Sequence, residues 1–260
     1  MDELINVKDG AYKEYESLIQ KRDELKKEAF CYQREYTREF GDLIVKTFEK
    51  KIECIRKKKM IEYCQMAKNH GLPVDQEELQ KYLNQEMEVL QMQLNDMIAD
   101  AKRARDSVIL PKKDIMEIKR IYRRIAKRIH PDMNSFVQDN EKLLDLWQRV
   151  VIAYKCNNLK ELQEAEVLIN MVLSDMDEPM PGIFILNIEE KILKLQDEIN
   201  EIQTTKPYTY KYLLLDEDKK NEKRLEISNE YQEYKEYEKQ LDVMMEDVMK
   251  QGVTYVWQMK

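Results

Sequence analysis

His130 and Asp132 stand on either side of Pro131 at the end of the stretch YRRIAKRIHPDM, Tyr122 to Met133. Pro131 fixes its own φ and biases His130 away from helical geometry, so a helix running into this tripeptide must stop there. Two polar side chains are then held on a stiff turn beside a cationic helix. A rigid polar pair at the edge of a charged face suits docking on another protein, because little ordering entropy remains to be lost on binding. Catalysis would need a convergent set: a nucleophile with a base, paired carboxylates in a pocket, or metal ligands. None is readable here, and a non-enzyme is expected. Cys31, Cys54, Cys64 and Cys156 form no C-x-x-C pair, and His70 and His130 are the only histidines. No zinc site at workable spacing follows, no cofactor is expected, and the thiols are expected to be reduced and partly buried.

The helix that carries the turn is expected at about Lys112 to Ile129. Ile118, Ile121, Tyr122, Ile125 and Ile129 recur at three and four residues and form an apolar stripe. Lys119, Arg120, Arg123, Arg124, Lys127 and Arg128 fill the other side. Residues 112–132 hold eight Lys or Arg against Asp114, Glu117 and Asp132, a local charge of +5 within a chain of −7, so the remainder carries −12. Cations near a helix C-terminus gain roughly 0.3–1 kcal/mol each from the macrodipole, which accounts for Lys127 and Arg128. Lys119, Arg120, Arg123 and Arg124 have no acid at i±4 and are expected to await an acidic surface elsewhere. A docking role therefore expects the corner to project from the molecule, with its cations free of the chain's own acids.

The stretch IKRIYRRIAKRIHPDM resembles helix II and the His-Pro-Asp loop of the J-domain, the signature of DnaJ-type co-chaperones. Tyr122, Arg123-Arg124, Ile125-Ala126 and Arg128-Ile129 follow the family's order of Tyr, basic pair, Leu-Ala and Lys-Tyr, with Ile129 in place of the usual aromatic. Trp147, Val150, Ala153 and Tyr154 match the end of the family's helix III, although Asn157 stands where a Leu is common. The family's Asp-Tyr-Tyr run of helix I has no counterpart. The match covers about Lys112 to Asn157. The resemblance implies that His130, Pro131 and Asp132 contact a DnaK-type chaperone ATPase and promote its ATP hydrolysis. It also implies that Lys119, Arg120, Arg123, Arg124 and Lys127 steer the helix onto that partner's acidic surface. The Gly/Phe-rich linker, zinc repeats and β-rich client domain of full DnaJ proteins are missing, so a specialised member with helical appendages is implied.

Composition sets the frame. Five Gly and six Pro in 260 residues, with 37% charged and 43% hydrophobic residues, leave little room for sheets and favour long helices. A first helix is expected over about 12–69. Its seam runs through Tyr15, Leu18, Leu25, Ala29, Tyr32, Tyr36, Leu43 and Thr47, with Arg22 and Glu39 or Phe40 at the remaining steps. Gly71 and Pro73 stop it. His70, beside that stop, is given no role. Asp75 with Glu78 resembles a capping box opening a second helix to about Arg105, lined by Leu79, Leu83, Met87, Leu90, Leu94, Met97, Ile98 and Ala101. Beyond the turn, a helix begins near Asn140 and another short one at CNNLKEL. A break falls at DEPMPG (177–182), followed by helices over about 183–204 and 216–251. The Tyr-rich segments YTYKY and YQEYKEY are assigned to helix packing, with partner binding the alternative.

The expected fold is all-α. A central J-domain-like helical hairpin (107–178) is flanked by two long antiparallel hairpins, 1–106 and 179–260. The hairpins leave room for a client or adaptor protein, or a second copy of the chain. The N-terminus has no apolar signal region and no later run approaches membrane-spanning length, so a cytoplasmic protein with no membrane contact is expected. No nucleic acid is expected either, given the net charge and the lack of aromatics interleaved on the basic face. The competing function is a coiled-coil scaffold or adaptor whose J-like helices have lost coupling to an ATPase.

Overall fold

A computed structural model of the chain describes residues 2–107, 110–176, 187–251 and 255–256. The fold is all-α. The order is α1 (Asp2–Asn69), β1 (Val74–Asp75), α2 (Gln76–Asp106), α3 (Lys112–Ile129), α4 (Ser135–Gln138), α5 (Glu141–Lys155), α6 (Leu159–Ser174), α7 (Ile188–Thr204), α8 (Tyr210–Leu214), α9 (Glu217–Lys250) and β2 (Tyr255–Val256). The expected break at 177–182 and the start of the following helix at 183 lie outside the described residues.

Local signals place the helix ends. Gly71 takes φ +66° after α1, the left-handed conformation a helix terminus favours. Asp75 caps α2 by accepting from the amides of Glu77 (2.8 Å) and Glu78 (3.1 Å). Asn140 and Asn158 do the same for α5 and α6 through the amides of Leu143 and Glu161.

Packing gathers the chain into two compact units that cut across the three consecutive segments expected from sequence. Unit 1 is Met1–Gln33 with Val108–Lys211, and unit 2 is Arg34–Ser107 with Tyr212–Lys260.

In unit 2, α2 folds back against residues 34–69 of α1. Ile61 and Cys64 share a core with Leu79 and Leu83, and Ile52 shares another with Met87 and Leu94. Arg38 Nε donates to the Ala104 carbonyl at 3.1 Å. These pairs run in opposite directions along the two helices, so this part of the expected N-terminal hairpin is present. Alongside it, α9 runs in the same direction as α1. Cys54 Sγ donates to the Tyr234 carbonyl at 3.3 Å, Lys57 pairs with Asp242 at 2.6 Å, and Lys68 reaches Gln251. Leu241 and Val248 enter the core that holds Cys54 and Ile61. The only sheet among the described residues is a two-residue parallel pairing of β1 with β2, Val74 opposite Tyr255. The sequence carries no strand signal for it.

In unit 1, α3, α5 and α6 enclose one core built from Ile118, Ile121, Tyr122, Ile125, Leu143, Val150, Tyr154, Leu162 and their neighbours. α3 and α5 are antiparallel: Tyr122 stacks on Tyr154 with ring centroids 3.8 Å apart, while His130 meets Trp147 at 4.6 Å. Residues 10–33 of α1 lie against this bundle and against α7. Tyr15 and Ile19 share a cluster with Met133, Ile192 and Leu195, and Leu25 and Ala29 share one with Ile199 and Tyr208. Tyr208 of the YTYKY segment is buried edge-on against Tyr32.

Two expectations are corrected. Residues 12–33 do not form part of a hairpin with α2, which has 31 residues against the 68 of α1 and can cover less than half of it. The C-terminal segment is not a hairpin packed on itself. The stripe of α7, Ile192, Leu195 and Ile199, is buried against α1 in unit 1. Leu241 and Val248 of α9 are buried against α1 and α2 in unit 2. An apolar stripe goes wherever a complementary stripe is offered, and adjacency in sequence is only a prior for that choice.

Candidate functional site

The corner itself forms as the residues dictate. α3 ends at Ile129, the His130 amide donates to the Ala126 carbonyl at 2.9 Å, and His130 leaves the helix at φ −66°, ψ 123°. The chain then tightens around the His130 carbonyl, which accepts from the amides of Met133 (3.0 Å) and Asn134 (2.9 Å) and from Asn134 Nδ2 (3.2 Å). Gln138 Nε2 secures the Pro131 carbonyl at 3.1 Å.

The imidazole of His130 has both nitrogens engaged. The Asp132 amide donates to Nδ1 at 3.0 Å, and Nε2 lies 3.3 Å from Asp23 Oδ2. An accepting Nδ1 places the hydrogen of the neutral ring on Nε2, which then donates to Asp23. Arg22 Nη2 is 3.2 Å from the same Nε2. Both are N–H groups in that tautomer, so this is a close approach and not a hydrogen bond; the two donors converge on Asp23. The Asp23 carboxylate also accepts from Tyr122 Oη at 2.7 Å and from Arg22 at 2.9 Å. Burial alone would push the Asp23 carboxyl up. The hydrogen bond from His130, the Arg22 charge and the Tyr122 hydroxyl outweigh it, holding the group below its ordinary value. Burial, then the Asp23 charge, pushes the Tyr122 hydroxyl far up.

Arg22 continues from Asp23 to Asp132, with Nη1 to Oδ2 at 2.9 Å. It also lies 3.7 Å from Glu198 on α7. Tyr15 Oη donates to the Asp132 carbonyl at 3.4 Å. Lys27, buried on the same side of α1, sits 3.9 Å above the Tyr154 ring. One face of α1 thus supplies Tyr15, Arg22, Asp23 and Lys27 to the corner and to the aromatic stack behind it. A recess of about 260 Å³ beside them is lined by Arg22, Asp23, Lys26, His130, Asp132 and Trp147, among others.

This arrangement corrects the expectation of a projecting corner with free cations. His130 is 3% exposed. Arg123 pairs with Glu24 and Lys127 with Glu16 at 3.7 Å, both acids on α1. Arg124 binds Glu166 of α6 at 2.6 Å, and Arg120 binds Glu117 on its own helix at 2.7 Å, a partner at i−3. Arg128 reaches Asn170. The physical reason is the charge balance: the acids that make the rest of the chain negative are brought alongside α3 by packing. What stays open is the outer part of the site. The side chain of Asp132 is 41% exposed, and those of Arg120 and Lys127 are 69% and 68% exposed. Pro131 and Lys119 are half-buried.

Sequence inspection placed His130, Pro131, Asp132 and the five cations together, and they are together. It missed Arg22 and Asp23. The signal was an Arg-Asp pair at a step of the apolar seam between Leu18 and Leu25, where a charged residue must find a specific partner or stay in water. Among the described residues no group of three His, Cys, Asp or Glu is placed to hold a metal ion, and no helix is long and apolar enough to cross a membrane. Compared with protein-family models, curated proteins and solved structures, the chain matches none of them.

Proposed function

We propose that the chain is a J-domain-like co-chaperone that docks on a DnaK-type chaperone through the outer face of α3 and the His-Pro-Asp corner, and stimulates that partner's ATP hydrolysis. The observation that carries this is the pairing of α3 with an antiparallel α5 about a single core, with His130, Pro131 and Asp132 at their junction and five cations on the adjoining face. The ion pairs on that face do not count strongly against it. Exposed pairs are worth only about 0–1 kcal/mol each. An acidic partner surface can exchange with Glu16, Glu24 or Glu117 at little net cost.

The burial of His130 favours a second reading, a helical scaffold in which the corner merely ties α1 to α3. The two are separated by single-turnover ATP hydrolysis of the DnaK-type protein from the same genome. At saturating concentration the full chain is expected to accelerate hydrolysis. His130→Gln is expected to abolish that effect while the helical circular dichroism is retained. Equal inertness of both proteins, and of the opened variants described below, selects the scaffold.

A further inference from the structure

The geometry points to α1 as a removable latch: Arg22 and Asp23 hold the His-Pro-Asp corner closed, and docking requires this part of α1 to swing off α3. The inference rests on the docking role proposed above and adds its regulation. Three observations on α1 bear on it, each touching a different part of the corner. Asp23 takes the Nε2 hydrogen of His130, Arg22 takes the Asp132 carboxylate, and Tyr15 takes the Asp132 carbonyl. Together they engage His130 Nε2 and, at Asp132, the carbonyl and one carboxylate oxygen. A partner that reads those groups has to displace α1 first.

The chemistry of the latch is suited to release. Among the described residues, the α3–α5–α6 core is built without any from α1. Its apolar packing persists when α1 leaves. Opening breaks the polar bonds at the corner, the flanking ion pairs and the Lys27 contact with the Tyr154 ring, and it uncovers the apolar cluster of Tyr15, Ile19 and Met133. The flanking pairs, Glu24 with Arg123 and Glu16 with Lys127, bind the cationic face of α3 in the way an acidic partner would. The α1 acids therefore compete with such a partner for the same guanidinium and ammonium groups. A partner that binds the open state alone shifts the balance toward opening, and by reciprocity an opened chain binds the partner more tightly.

The test uses the full chain with Arg22→Met, which keeps an apolar stem of similar length, and separately Asp23→Asn, which keeps shape and removes charge. Amide exchange at Asp132, whose N–H is held by His130 Nδ1, and at Met133 and Asn134, held by the His130 carbonyl, reports how firmly the turn is kept once an α1 contact is removed. Exchange there is expected to rise at least about tenfold in both variants, with protection of the α3, α5 and α6 cores unchanged. The concentration giving half-maximal ATPase stimulation is expected to fall by roughly ten- to a hundredfold, the factor by which the closed state depletes competent molecules. Unchanged exchange at the corner in both variants overturns the latch. So does an opened corner with stimulation superimposable on the wild type. If the corner opens and no form of the protein stimulates, the docking role falls, and the latch falls with it as a regulator. If either variant loses the core, wild type alone decides: saturating partner must raise exchange over residues 15–27 of α1, and failure to do so overturns the proposal.

Discussion

His130 has two ring nitrogens and both are committed, one inward to the turn through the Asp132 amide and one outward to Asp23. That division makes the histidine at once a helix terminator and a link to a residue 107 positions away. Asp23 is the more telling member of the pair. Its carboxyl sits below its ordinary value of 3.8, so the unfolded chain binds a proton at a pH where the folded chain does not. The groups facing it are Arg22 from α1, which also binds Asp132, His130 from the turn, and Tyr122 from α3. Its contribution to stability is thus fully present above the ordinary carboxylate range and is lost as pH falls through and below it. Urea unfolding of the wild type and of Asp23→Asn should differ by a constant amount from pH 5 to 7. The two curves should converge as pH is lowered below about 4; a difference that widens with acid would reverse the sign assigned here.

The helices illustrate how far local signals reach. Caps at Asp75, Asn140 and Asn158, the left-handed Gly71 and the proline after His130 bound their elements by rules that involve neighbours only. The burial of Ile118, Ile121, Tyr122, Ile125 and Ile129 follows from the 3.6-residue period of α3 in the same way. Partner choice does not. The seam of α1 looks continuous in sequence, yet residues up to 33 belong to one unit and residues from 34 to the other. A close approach of α1 and α2 falls at Gly41, where an added Cβ would stand 3.2 Å from Ala101 Cβ and 3.3 Å from Thr37 Cγ2. Gly41→Leu should therefore cost about 1–3 kcal/mol by overpacking, measured by chemical unfolding. Gly41→Ala should fall near zero, because a gain of roughly 0.5–1 kcal/mol in helix propensity offsets a tight but small contact.

Each unit has its own core, one centred on Ile125 and Leu162, the other on Cys64 and Leu241. Ile125→Ala and Leu241→Ala should each cost about 2–5 kcal/mol, since both side chains are almost wholly buried. Native-state hydrogen exchange should show Ile125→Ala loosening α3, α5 and α6, and Leu241→Ala loosening α2 and α9. Uniform loss of protection along the whole chain in both variants would mean that the two cores do not unfold as separate cooperative bodies. The charge balance also belongs to this scale. A chain of −7 with a +5 segment does not have to present that segment to a partner, because its own −12 is available to answer it.

The sequence by itself determined the all-α class, the main helix boundaries, the buried stripe of α3 and most of that of α2, and the His-Pro-Asp corner with its basic flank. All of these depend on interactions within a few residues, where period, capping chemistry and a proline's fixed φ leave little choice. Only the tertiary structure decided which stripes meet. It set α7 and α9 against different stretches of α1, and it brought Arg22 and Asp23 onto a corner more than a hundred residues downstream. An apolar period states that a face must be covered and says nothing of what covers it. A lone Arg-Asp pair in a seam likewise states that a partner is needed, and that partner can be identified only once the chain has folded.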